Sequence, residues 1–265
     1  MFTPVQTYNS PLTVVAIQAA YKAGELLRRG FGTELSITTK ANAHDLVTEC
    51  DGAAEALIIE HVRKHYSNHA FLAEESGSLP NDDAPVCWII DPLDGTLNFA
   101  HHIPLFCVSI AAVVGNQVEA GVIYQPMGDE MFVAERGHGA YLNDKRIQVS
   151  ETHDIHLAIG ATGFPYGAEL RQSSINQFAN LFDLGNPIRI LGSAALSLAY
   201  VAAARFDAYW SSTLMPWDVA AGKLIVEEAG GTVTHFDGTV HDLYKQQSVV
   251  ASNTLLHESV LKLLK

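Results

Sequence analysis

Two carboxylates three positions apart carry the first chemical signal. In Trp88-Ile89-Ile90-Asp91-Pro92-Leu93-Asp94-Gly95-Thr96, the apolar run predicts a short strand with Asp91 at its C-terminal end. Pro92 fixes φ and lacks an N–H, so a bend is expected that returns Asp94 toward Asp91. The two carboxylates and the Leu93 carbonyl can then converge on a hard cation, which prefers oxygen ligands. A helix starting at Gly95-Thr96 presents backbone N–H groups to a phosphate. Cation ligands beside an anion cradle are the parts of a phosphoryl-transfer site. By itself, a DxxDGT run also reads as a capped turn with two solvated acids.

Two further acidic positions stand far away in the chain. Glu74-Glu75-Ser76 ends the apolar run AFLAE, where paired Glu usually just face solvent. Asp218, in Pro216-Trp217-Asp218, falls in the first turn of a predicted helix, where an acid suits the helix dipole anyway. The 12 histidines show no HxxxH spacing for zinc and read as surface or packing residues. His101-His102 lie close enough to the DGT segment to touch a site there, and Lys40 sits in the polar stretch 33–45. Cys50, Cys87 and Cys107 are too widely spaced for a CxxC motif, and Cys87 and Cys107 read as reduced core residues.

These acids need elements to hold them. Helical spacing predicts helices at 11–30, at 51–66 (opened by Asp51), at 167–184, at 193–205 (opened by Ser193), at 216–229 and near 254–264. Short apolar runs predict strands at 70–74, 87–91, 106–114, 118–126 and 157–163, with others at 207–210, 232–236 and 247–253. The stretch 131–144 continues the meander. Gly115-Asn116 and Asn143-Asp144 read as hairpin turns. Antiparallel strands come first; strands alternating with helices follow. This order suggests an α+β half over 1–150 and an α/β half over 151–265, integrated into one unit.

At 265 residues, 48% hydrophobic and 17% charged, the chain is an ordinary globular one. A formal charge of −13 argues against direct nucleic-acid binding, which needs a basic footprint. It does not exclude a small phosphorylated substrate, since bound divalent cations reverse the local field. No apolar run approaches a membrane span, and MFTPVQTYNS lacks the features of a signal peptide. Together with the odd cysteine count, this predicts a cytoplasmic protein.

Several segments together resemble the inositol monophosphatase family. AEES at 73–76, WIIDPLDGTLNF at 88–99 and PWDVAAGKLIVEEAGG at 216–231 are similar to its three signature regions. DLVTECD at 45–51 looks like the family's upstream DxVTxxD segment, and GHGAYLND at 137–144 like another recurring one. The likeness runs from about residue 12 to the C-terminus, with order and spacing in agreement. It implies a layered αβαβα sandwich of the inositol monophosphatase/fructose-1,6-bisphosphatase type, usually a homodimer. It further implies hydrolysis of a small phosphate monoester with two to three Mg²⁺ ions, and lithium sensitivity.

Residue by residue, the resemblance implies Glu74, Asp91, Leu93, Asp94 and Asp218 as metal ligands. Asp91 bridges two ions, the Leu93 carbonyl binds the first, and Asp94 with Asp218 binds the second. A weaker third ion lies near Glu74 and the upstream loop that carries Lys40. Glu74, Thr96 and Asp51 form the catalytic group: Thr96 orients the attacking water and Asp51 accepts the Thr96 hydroxyl proton. Asp94, Gly95, Thr96, Ala194, Ser211 and Asp218 are the implied substrate or phosphate contacts. The family's inositol-contacting Glu, seven residues before the Asp of its WD motif, is replaced here by Ser211. That departure bears on substrate choice, not on hydrolysis. Inositol monophosphate leads. Fructose-1,6-bisphosphate, 3′-phosphoadenosine 5′-phosphate, NADP and histidinol phosphate are alternatives, and a regulatory, RNA-machinery-binding relative is a different class.

Overall fold

Helix α1 (Pro11–Gly30) starts where Ser10 accepts the Leu12 N–H and Pro11 needs no partner of its own. A computed structural model describes residues 8–33, 37–39, 46–81, 83–165 and 169–265. Strands β1 (Ile37–Thr39) and β2 (Leu46–Thr48) pair antiparallel ahead of α2 (Glu49–His65). Helix α2 begins two residues earlier than expected. Thr48 is its cap, and Asp51 sits at the third helical position, where its carboxylate reaches back to the Thr48 N–H at 2.8 Å.

Next come β3 (Ala70–Ala73), β4 (Gly77–Leu79), β5 (Cys87–Asp94) and the short α3 (Thr96–Ala100). Strands β6 (Cys107–Val114), β7 (Gln117–Gln125), β8 (Glu130–Glu135), β9 (Gly139–Leu142) and β10 (Lys145–Ile147) make the meander. Gly115 and the pair Asn143-Asp144 take positive φ in the two expected turns. These strands form an eight-stranded sheet, ordered β10-β9-β8-β7-β6-β5-β3-β4, antiparallel except where β3 runs parallel to β5.

Of the expected strand 157–163, Leu157 belongs to a 3₁₀ turn at Ile155–Leu157, and β11 covers only Gly160–Gly163. Then follow α4 (Arg171–Phe182), β12 (Ile188–Arg189), α5 (Ala194–Ala202), β13 (Ala208–Leu214) and α6 (Pro216–Glu228). Strands β14 (Gly231–Thr234) and β15 (Gln247–Asn253) and helix α7 (His257–Leu263) end the chain. The second sheet is ordered β12-β11-β13-β15-β14.

Alternation along the strands builds three apolar clusters within five layers of structure, the central one covering both faces of the α5–α6 layer. In β5, Trp88 and Ile90 face α1 and α2, whereas Ile89 faces α5 and α6. In β13, Tyr209 faces α5 and α6, whereas Ala208 and Trp210 face α4 and α7. The result is the expected αβαβα sandwich, with α5 and α6 between the sheets. Helix α6 lies very close to β7. A Cβ on Gly121 would stand 2.8 Å from the Ala221 carbonyl oxygen, so only glycine permits this approach. No described helix is long and apolar enough to cross a membrane.

Candidate active site

Strand β5 does not end at Pro92. It runs on to Asp94 through a bulge: Asp91 pairs with Ser109 and Asp94 with Cys107, so three steps on β5 face two on β6. In a regular strand, residues three apart point to opposite faces. The extra residue removes that inversion and turns both carboxylates toward the α5–α6 layer. Pro92 fits here because a bulge leaves a residue out of the ladder. The expected convergence of Asp91 and Asp94 is present, and the bend that brings it about is a bulge within the strand.

Asp218 arrives from α6 as the third member. One carboxylate oxygen each from Asp91, Asp94 and Asp218 lie within 4.8 Å of one another. Every one of the three is held in orientation by main-chain donors. Asp91 Oδ1 accepts the Leu93 N–H at 3.0 Å, and Asp218 Oδ2 accepts the Met215 N–H at 2.7 Å. Asp94 Oδ2 accepts the Ser193 hydroxyl and the Ala195 N–H, both at 2.6 Å, from the start of α5. The Ser109 hydroxyl, across from Asp91, donates to the Trp217 carbonyl at 3.2 Å and ties α6 to β6 beside Asp218.

The electrostatics of this cluster favour a cation. Burial, then the charges of Glu74, Asp94 and Asp218, hold the Asp91 carboxyl well above the usual range. Burial and Asp94 do the same to Asp218. Asp94 is also raised by burial, although its hydrogen bonds from Ser193, Ala195 and Ala194 oppose the rise. Glu74 lies in hydrogen-bonding contact with Asp91. Acids packed this closely share a proton or a cation between them. The three clustered carboxylates are an all-oxygen donor set of the kind a hard divalent cation takes.

Thr96 sits at the edge of this cluster. Gly95 precedes it in the left-handed region at φ 101°, and a Cβ there would stand 3.0 Å from the Leu105 carbonyl oxygen. The Thr96 hydroxyl is 3.0 Å from both Asp51 Oδ1 and the Leu93 carbonyl oxygen. Asp51 Oδ2 meanwhile accepts the Thr48 N–H and hydroxyl, at 2.8 and 2.6 Å. Asn98, one turn into α3, donates to the carbonyls of Leu105 and Leu191 and so fixes the loop before Ser193. Ala194, at the start of α5, is half-buried, as are Gly95, Thr96, Glu74 and Asp218.

Other residues fall differently. Ser211 is buried on β13, and its hydroxyl donates to the Thr213 carbonyl at 3.3 Å. His101 and His102 are exposed, with His102 set edge-on against Phe31. Lys40 and Asp45 lie outside the described residues. Cys87 is half-buried and Cys107 fully buried; both are free thiols. Cys107 is more than filler, since its sulfur lies 3.8 Å from Asp94 Oδ2 and 3.6 Å from the Ser193 hydroxyl. Sequence reasoning missed the hydroxyl of Ser193 as a donor to Asp94 and that of Ser109 as a tie to α6. No local signal marks Ser109; the capping position of Ser193 was a partial one for its side chain.

Comparison with known proteins agrees with this geometry. The chain is 43% identical over 253 residues to Nus factor SuhB of Escherichia coli K12, covering 95% of this chain and 94% of that one. It is 42% identical over 260 residues to inositol-1-monophosphatase of Mesorhizobium japonicum, covering 97% of each. The crystal structure of extragenic suppressor protein suhB from Bartonella henselae superposes with a TM-score of 0.93 at 40% identity, covering 97% of this chain and 99% of that one. An IMPase/NADP phosphatase complexed with Mg²⁺ and phosphate superposes at 0.81 with 25% identity, covering 92% and 90%. The inositol monophosphatase family profile matches residues 8–265. With that match across nearly its whole length, the chain belongs to the inositol monophosphatase family.

Proposed function

We propose that this protein is a Mg²⁺-dependent phosphatase that hydrolyses inositol monophosphate or a closely related small phosphate monoester. The observation that carries the reading is the convergence of Asp91, Asp94 and Asp218 beside the Thr96–Asp51 pair. Glu74, Asp91, the Leu93 carbonyl, Asp94 and Asp218 would hold two to three Mg²⁺ ions. Such ions neutralise the ester's charge, acidify water and stabilise the leaving alkoxide. The protein's own part is positioning, because phosphoryl transfer asks little covalent chemistry of it.

Thr96 has one hydroxyl proton and two acceptors at equal distance. With the Leu93 carbonyl turned to a cation, that proton goes to Asp51, and the hydroxyl's lone pairs accept from the attacking water. The N–H groups of Gly95 and Thr96 donate to phosphate oxygens. Asp94, Ala194 and Asp218 face the alcohol side of the substrate, with Ser211 behind them. The protein acts as a homodimer in the cytoplasm, and lithium inhibits it by taking a magnesium position.

Inorganic phosphate release by the purified protein tests this reading, with inositol 1-phosphate set against the alternative phosphates. Activity should require Mg²⁺, and Asp91→Asn should remove nearly all of it while leaving the protein folded. Turnover at the full rate after chelation would overturn the proposal. Likeness to Nus factor SuhB supports a second reading, a regulatory role carried by the surface. That role would survive Asp91→Asn.

A further inference from the structure

Helix α2 carries two acids one turn apart, and each reaches a different part of the site. Asp51 and Glu55 stand at i and i+4 and so share a face. Asp51 holds Thr96. Glu55, only 4% exposed, accepts the Glu75 N–H at 2.8 Å through Oε2 and the Ser76 N–H at 2.9 Å through Oε1. Just before them, the Glu74 N–H donates to the Ile90 carbonyl at 3.2 Å, next to Asp91. Three successive N–H groups are thus fixed, the first to β5 and the next two to α2.

A carboxylate is the natural side chain for this task. Two adjacent main-chain donors need an acceptor on each prong, and an ionised Glu offers acceptors only. Holding α2 on the sheet needs no such group. Ala54, Ile58 and Val62 already pack in one apolar cluster with Phe71, Trp88 and Ile90. A buried charge is costly unless its bonds matter, and the bonds of Glu55 end on the turn that carries Glu74.

We propose that Glu55 is a positioning residue for Glu74: by clamping the Glu75 and Ser76 N–H groups, it sets where the Glu74 carboxylate meets Asp91. It thereby sets the affinity of the site for divalent cations. This rests on the reading of Glu74 as a metal ligand. Glu55→Gln keeps the shape but turns an NH₂ group toward one of the two N–H donors, so one bond is lost.

The test is isothermal titration of Mg²⁺ and Mn²⁺ into the full-length, substrate-free protein, with Glu74→Gln as the control. Loss of a group that orients a metal ligand weakens binding roughly 10- to 100-fold. Glu55→Gln is therefore expected to raise Kd by that factor. The substrate KM at saturating Mg²⁺ should move little. Metal affinity within twofold of wild type in Glu55→Gln, with Glu74→Gln weakened, overturns the positioning role and leaves the ligand reading standing. Unchanged affinity in Glu74→Gln overturns both. Should the Gln variant fold poorly, Glu55→Asp keeps the charge but withdraws both acceptors. Weakened binding in that variant supports the proposal, and wild-type binding overturns it.

Discussion

Replacing Asp51 by Asn reverses one hydrogen bond while leaving the helix cap in place. Asp51 uses Oδ2 for the two Thr48 donors and Oδ1 for the Thr96 hydroxyl. An Asn can keep its oxygen toward Thr48, which needs an acceptor. Its NH₂ group then faces Thr96 and donates to Oγ1. The Thr96 proton must turn to the Leu93 carbonyl, also 3.0 Å away. One lone pair that should receive the attacking water is now occupied, and the carbonyl proposed to bind the cation is diverted. Hydrogen bonds to charged groups contribute about 1.5–3 kcal/mol. If that is lost only in the transition state, kcat falls roughly 10- to 150-fold, at about 1.4 kcal/mol per factor of ten. Steady-state phosphate release at saturating Mg²⁺ measures it, with thermal melting to confirm the fold. Thr96→Ala should lower kcat by a similar factor with little change in KM, and Thr96→Ser should restore much of it. Because the two residues act as one unit, the double variant should be hardly slower than either single one. An Asp51→Asn enzyme with wild-type kcat, or additive losses in the double variant, would refute the coupling.

Three other expectations rest on separate parts of the structure. Ser193→Ala loses a charge-assisted bond to Asp94 and the cap of α5, together about 2–4 kcal/mol. The melting temperature should drop roughly 4–16 °C; a drop under about 2 °C would show that neither the bond to Asp94 nor the cap of α5 contributes as described. Ser211→Glu should raise the kcat/KM preference for inositol 1-phosphate over glycerol 2-phosphate roughly tenfold, as one charged acceptor would. A flat ratio at unchanged Mg²⁺ affinity places Ser211 outside the substrate pocket. His241 is buried with neither ring nitrogen hydrogen-bonded among the described residues, and burial, His235 and Lys223 lower its pKa to about 4. Unfolding returns it to about 6.5, so the unfolded chain binds more protons between these values. Stability should therefore fall as pH drops through that window, and less steeply in His241→Phe. Equal slopes for the two proteins in denaturant titrations would contradict this.

The acids themselves were legible in the sequence because their motifs are local. Asp91, Asp94 and Thr96 fall within six residues, and the start of α6 at Pro216 placed Asp218 correctly. What the pattern misled on is equally physical. Pro92 suggested a bend that ends the strand, yet a bulge opposite β6 takes up the extra residue and the strand continues. Asp51 looked like a helix cap, but Thr48 takes that place and frees Asp51 to face Thr96. Cys107 reads as core from its apolar run and is core, but nothing local shows that its neighbours are Asp94 and Ser193. Short strands such as β4, β10 and β12 owe their existence to a partner strand, which periodicity in so few residues does not reveal.

Hydrogen bonds beside the acids tie the eight-stranded sheet and α3 to α5, to α6 and to the segment before α5. Asp94 accepts donors from α5, Asn98 holds Leu191, and Ser109 holds Trp217. The eight-stranded sheet contains Asp91 and Asp94 within itself, whereas Asp218 joins them only when α6 lies against it. Packing α6 on this sheet therefore adds negative charge to a place that already has it. The junction is opposed by its own electrostatics and strengthened by whatever neutralises them, whether protons, salt or divalent ions. Ions that neutralise this cluster are therefore expected to hold α6 more tightly against the eight-stranded sheet as well.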